Sequence, residues 1–136
     1  PENLMKEFRK AHQFVVFTVN TPIQYALADY LQDDTHYKDL GSFYQNKRDH
    51  FLSLIKGTKW KAVPAHGTYF QVLDYSDISE LPEMEFAVKL IKEQGVASIP
   101  VSSFYHKKAD NKMLRFCFAK KEETIEKAAE LLCKIS

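Results

Sequence analysis

Arg115 poses the sharpest chemical question in this sequence. It stands inside "MLRFCF" (113–118), whose alternation puts Leu114, Phe116 and Phe118 on one face of a strand and Met113, Arg115 and Cys117 on the other. A guanidinium keeps its charge at any ordinary pH, and burying it without a partner is costly. Three arrangements answer that cost: an ion pair with a carboxylate of this chain, a snorkelled position at a sheet edge, or a carboxylate that arrives as a ligand. Spacing alone favours the first two. Tyr69, Phe70 and Phe104 could supply an aromatic wall if a ligand pocket exists.

The remaining reactive side chains read as structural. His12, His36, His50, His66 and His106 are scattered and form no ligand-type pair; His66, just before Gly67, is the best placed of them. Ser102 and Ser103 follow Pro100 without the glycines of a nucleophile elbow or a placed base, so loop hydrogen bonding explains them. A Schiff-base lysine needs an apolar setting, and Lys120 and Lys121 fall at an exposed strand–helix junction. Cys117 and Cys133 lack metal-type spacing and read as reduced structural thiols of a cytoplasmic protein. No phosphate-binding glycine pattern or metal cluster is present in the sequence. A carboxylate-binding site is arguable from these residues; a reaction is not.

The elements that would position Arg115 follow from periodicity. Residues 2–17 begin as an amphipathic helix with Leu4, Met5, Phe8, Ala11 and His12 on one side. A second helix starts near Thr21 as N-cap with Pro22 at its first position, its apolar side formed by Ile23, Ala26, Leu27, Tyr30 and Leu31. A third runs from about 37 to 55, with Leu40, Phe43, Tyr44, Lys47, Phe51, Leu54 and Ile55 inward and Gly57 as its stop. Period-two runs at 59–63 and 68–75 enclose the turn "PAHG" (64–67). A helix over 82–95 opens at Pro82 and stops at Gly95; a short strand near 96–99, the Arg115 strand and a closing helix over 121–135 complete the order. The class is α+β, an α/β sandwich with a small, mainly antiparallel sheet flanked by helices.

The chain has 136 residues, 45% of them hydrophobic, and a formal charge of +1, which fits one domain over 1–136 with a real core. So even a charge balance gives no reason to expect nucleic acid or an anionic membrane as partner, and no apolar run has membrane length.

Three stretches, "HGTYFQVLDYS", "GVASIPVSSFY" and "LRFCFAKKEETIEKAAELL", follow one another as in the C-terminal region of class I/II aminotransferases, and "RKAHQFVVFTVNTPIQYALADYL" fits the segment just upstream. The chain resembles the small C-terminal domain of these pyridoxal 5′-phosphate enzymes of fold type I, and most of all their methionine aminotransferase branch, which adjoins the kynurenine–oxoglutarate transaminases and glutamine transaminase K. Where many relatives read Pro-Gly, this sequence has Pro100-Val101.

The resemblance implies that Arg115 forms a bidentate pair with the substrate α-carboxylate, a task suited to a planar guanidinium. It implies that Gly67, Tyr69 and Phe70 line the substrate pocket, and that Thr18 and Asn20 reach the partner's cofactor phosphate across a homodimer. The substrates would be an aromatic, methionine-type or glutamine-type amino acid and a 2-oxo acid. The lysine that holds pyridoxal phosphate is expected upstream of Pro1, in a missing large domain, so this chain alone would be inactive. The rival reading is a stand-alone α+β module that senses carboxylates or binds a protein, with Arg115 as its sensor or in an ion pair.

Overall fold

The computed structural model describes residues 1–107 and 109–136. Contacts gather into two units, Pro1–Asp39 and Leu40–Ser136.

The first unit holds helix α1 (Glu2–Val15) and helix α2 (Thr21–Tyr30), followed by a 3-10 turn over Asp34–His36. Neither helix contains a buried residue; Leu4, Met5, Phe8, Ile23 and Leu27 are all exposed. The apolar sides expected from spacing are present, but within this unit they are not covered. The start of α2 differs from the expected one. Asn20, not Thr21, is the N-cap: its Oδ1 accepts the Ile23 N–H at 3.2 Å, which leaves Thr21 and Pro22 in the first turn. Asp33 caps the 3-10 turn in the same manner through the Thr35 N–H, at 3.0 Å. The third helix begins at Leu40 rather than near 37, because the Tyr37 and Lys38 N–H groups turn back to the Asp34 carbonyl, at 3.2 and 3.0 Å.

The second unit carries the sheet. Helix α3 (Leu40–Leu54) leads to strands β1 (Lys61–Ala62) and β2 (Phe70–Asp74); helix α4 (Glu83–Lys89) continues as a π-type turn over Leu90–Gln94. Strands β3 (Ile99–Pro100) and β4 (Met113–Cys117) follow, with a 3-10 turn over Val101–Phe104 between them, and helix α5 (Glu122–Cys133) closes the unit. The strand order is β1-β2-β4-β3, every pair antiparallel. Gly95 ends the α4 segment at φ +71°, a left-handed conformation in which a side chain would be strained.

The sheet presents one face to the core. Leu73, Leu114 and Phe116 are buried against Phe51 and Ile55, Phe86 and Leu90, and Ile125, Ala129 and Leu132, which lie on or beside the three helices. Trp60 fills the centre, its ring N–H donating to the Leu132 carbonyl at 3.1 Å. Buried Gln71 substitutes for a longer β1 ladder: its side chain donates to the Val63 carbonyl at 3.0 Å and accepts the Ala65 N–H at 3.2 Å.

Three further expectations need correction. Strand pairing over 59–63 shrinks to Lys61–Ala62, because Trp60 turns into the core and Gln71 takes the polar groups that follow. The short strand lies at Ile99–Pro100 rather than 96–99, since Val96 enters the core while Ile99 and Pro100 reach the edge of β4. Pro100 suits an edge strand, where its missing N–H costs no ladder bond. Finally, Leu40 and Phe43 on α3 are exposed, so only the helix from Tyr44 onward packs inward.

Candidate functional site

Arg115 sits at the middle of β4, opposite Val72 on β2 and Ile99 on β3. The alternation expected for this strand is present: Leu114, Phe116 and Phe118 are buried, while Met113 and Arg115 are half-buried and Cys117 is exposed. Arg115 therefore projects from the sheet face opposite the core, beside Phe70 and Val72.

Two aromatic rings flank its charge. The guanidinium carbon lies 4.0 Å from the Phe70 ring centroid and 4.7 Å from that of Phe104. These are cation–π distances, and they hold the planar group in a fixed orientation. Phe70 arrives from β2; Phe104 arrives from the 3-10 turn after β3.

No carboxylate among the described residues answers Arg115. Among the described residues it makes no ion pair, and its Nε is buried without a hydrogen-bond partner. Of the two arrangements favoured by spacing alone, the ion pair is not formed among the described residues, and β4, paired on both sides, is not a sheet edge. A shielded donor left unpaired costs about 1–3 kcal/mol, more where the group is charged. The side chain is only half-buried, so an incoming acceptor can reach it. The arrangement is suited to receive a planar anion.

The other site residues fall into three places. Phe70 touches Arg115, and Tyr69 leans on Phe70 with ring centroids 4.3 Å apart. Gly67 lies in a different cleft, of about 310 Å³, together with His66, Arg48 and Tyr69. Tyr69 is the residue shared between that cleft and the Phe70–Arg115 group. Thr68, between Gly67 and Tyr69, has φ +76°, a costly conformation for a β-branched residue. Thr18 and Asn20 belong to the first unit; Thr18 Oγ1 donates to the Val19 carbonyl at 3.4 Å and Asn20 Oδ1 serves as the cap. Cys117 and Cys133 are free thiols.

Sequence reasoning missed Glu83. This residue is almost fully buried, at 1% exposure, and its carboxylate accepts main-chain N–H groups from Ser102, Asn111 and Met113. Its position after Pro82 reads as ordinary acidic decoration of a helix start. Only the folding of two distant loops onto it shows more.

Fold and site together define an α+β unit whose sheet carries an arginine open to an anion. The chain belongs to the aminotransferase class I and II family, whose model matches residues 1–132. It is 44% identical to a methionine aminotransferase of Escherichia coli over 133 residues, 97% of this chain and 34% of that protein. A kynurenine–oxoglutarate transaminase of Dictyostelium discoideum is 33% identical, matching 99% of this chain and 36% of its own length. The crystal structure of YbdL from Escherichia coli, described as a methionine aminotransferase, superposes with a TM-score of 0.83 at 44% identity, covering 98% of this chain and 35% of that one. The chain spans about a third of the length of the curated relatives it matches.

Pyridoxal phosphate, implied by this family, requires a lysine amine in a desolvated setting. No described lysine is buried; the two half-buried ones, Lys47 and Lys112, donate to main-chain carbonyls of Lys120 and of Glu80 and Leu81. The described residues do not by themselves make a holder for the cofactor. Among them, too, no helix is long and apolar enough to cross a membrane.

Proposed function

We propose that this chain is the C-terminal small domain of a pyridoxal-phosphate-dependent aminotransferase, in which Arg115 binds the α-carboxylate of the amino-acid and 2-oxo-acid substrates. The observation that carries this reading is the unpaired guanidinium of Arg115, held between Phe70 and Phe104 with its Nε shielded and lacking an acceptor. A carboxylate offers two coplanar oxygens, the acceptor pair that a fixed guanidinium matches.

In this reading the chain's contribution is positioning. Two N–H···O bonds from Arg115 fix the carboxylate, and with it the direction of the other bonds at the α-carbon. Placement of this kind lowers a barrier by several kcal/mol, up to about 7–11 kcal/mol for full preorganisation. Phe70, Phe104 and Tyr69 turn apolar surface toward the side chain of the substrate, which favours aromatic and thioether amino acids; Gly67 shapes the adjoining turn. Likeness to methionine and kynurenine aminotransferases supports that substrate class.

The cofactor is held by a large domain outside this chain, so the chain alone does not transaminate. The parent is a cytoplasmic homodimer in which Thr18 and Asn20 approach the partner's cofactor phosphate. Because the Oδ1 of Asn20 is taken by the helix cap, its exposed amide donors are the group this reading assigns to the phosphate.

The test is Arg115→Lys in a complete aminotransferase carrying this chain. The ammonium keeps the charge and loses the two-point grip, so kcat/KM falls about 10- to 150-fold, from roughly 1.5–3 kcal/mol of lost contact. The loss is similar for methionine, aromatic and glutamine-type substrates, because all share the α-carboxylate. A loss confined to one side-chain class would move Arg115 to the specificity pocket.

A further inference from the structure

We propose that Glu83 is a positioning residue for Arg115, fixing the gap between the two segments that form the guanidinium site. The inference rests on the function proposed above and names the part of the fold that holds that site in shape.

Glu83 opens α4 and is closed off from solvent, at 1% exposure. Its Oε1 accepts the N–H groups of Asn111 and Met113, both at 3.0 Å, and its Oε2 accepts that of Ser102. The Glu83 N–H donates in turn to Asp110 Oδ2 at 3.0 Å, and Asp110 Oδ1 takes the Lys112 N–H at 3.0 Å. Two carboxylates thus stitch the helix start to the segment that opens β4 and to the turn that follows β3.

Both stitched segments lead to Arg115. Met113 opens β4 and lies two residues before Arg115, on the same face of the strand. Ser102 lies two residues before Phe104, in the same 3-10 turn, and Phe104 covers the guanidinium. One carboxylate therefore sets the distance between the arginine and its second aromatic wall. A buried acid needed only for stability would have to satisfy its own oxygens; it would not have to bind the two segments that converge on one charged group. The strands themselves leave this gap free, since Val101–Phe104 lies beyond the paired residues Ile99 and Pro100.

Glu83→Gln keeps the length of the side chain but places an NH2 where an N–H must be accepted, loosening one segment from the other. In a complete aminotransferase carrying this chain, Glu83→Gln is expected to raise KM for amino acids about tenfold with kcat changed less than about twofold at saturation. The decisive readout is a cycle with Arg115→Ala. If Glu83 acts through Arg115, its effect on kcat/KM shrinks to about onefold in the Arg115→Ala background. Glu83→Asp, which keeps the charge, covers the case in which the glutamine variant fails to fold, and about a threefold rise in KM is expected with the same loss of effect in the cycle. A Glu83 effect that persists in full without Arg115, or a flat KM in a folded variant, overturns the inference while the carboxylate reading stands. An Arg115→Ala enzyme with normal kinetics removes the carboxylate reading itself, and this inference with it.

Discussion

Arg115 and Phe70 face each other across the β2–β4 pair, the guanidinium carbon 4.0 Å from the ring centroid, and no carboxylate among the described residues shares that charge. A cation kept this way has its orientation set before any anion arrives. The rings restrict it, and the missing ion pair leaves its donors to a ligand.

The second wall gives a first prediction. Phe104→Leu keeps an apolar side chain but removes the ring face 4.7 Å from Arg115. A lost cation–π contact of about 0.5–2 kcal/mol corresponds to about a 2- to 30-fold rise in KM for amino acids in the complete enzyme. Steady-state kinetics with two or more amino acids checks this. An unchanged KM would make Phe104 a bystander.

Asn20 yields a prediction that separates two roles. Its Oδ1 caps α2, so Asn20→Ala should lower stability by about 1 kcal/mol, read as a shift in the urea midpoint. Asn20→Asp retains the cap oxygen and loses the NH2 donor. It should leave stability unchanged and weaken cofactor affinity in the assembled enzyme, where a second negative charge meets the phosphate. Equal cofactor affinity in wild type and Asn20→Asp would confine Asn20 to the cap.

Alkaline pH should expose the contribution of Tyr75. Burial, with the nearby carboxylates of Asp110 and Glu83 adding to it, raises the phenol well above its ordinary value. Folding thus favours the neutral phenol, so this stabilisation is complete below about pH 10, where the unfolded phenol titrates, and is lost as pH rises toward the folded value. The hydroxyl donates to the Leu81 carbonyl at 2.9 Å, an oxygen that also accepts Lys112 Nζ at 3.1 Å. Tyr75→Phe should therefore cost about 0.5–1.5 kcal/mol at neutral pH, with the carbonyl still partnered. The deficit should shrink or reverse by pH 11, as urea midpoints at the two pH values would show. A deficit independent of pH would mean that the phenol is not held neutral by the fold.

Much of this architecture is legible in the sequence because it obeys local periods. The period of two in "MLRFCF" places Arg115 opposite the core, and Gly95 ends its helix by a conformation few other residues tolerate. Where several local answers compete, geometry decides. In "NTP" the pattern points to Thr21 as the cap, yet the cap falls to Asn20, one residue earlier, because its Oδ1 meets the Ile23 N–H. Helical spacing at Leu40 and Phe43 marks an apolar side without saying whether anything covers it. Glu83 was not legible at all, because Ser102, Asn111 and Met113 come to it only through tertiary folding. The absence of an ion pair at Arg115 has the same kind of cause: Asp74 shares that face of the sheet, opposite Met113, but its carboxylate accepts the Ser76 N–H at 2.7 Å, and no described carboxylate pairs with the guanidinium.

The most direct measurement is a crystal structure of a complete aminotransferase carrying this chain, with a 2-oxo acid or a non-reacting amino-acid analogue bound. The account predicts two parallel N–H···O contacts between the Arg115 guanidinium and the α-carboxylate, at about 2.7–2.9 Å each, with Phe70 and Phe104 still flanking the arginine. A ligand carboxylate held elsewhere, with Arg115 paired to an acidic side chain of the protein, would contradict it.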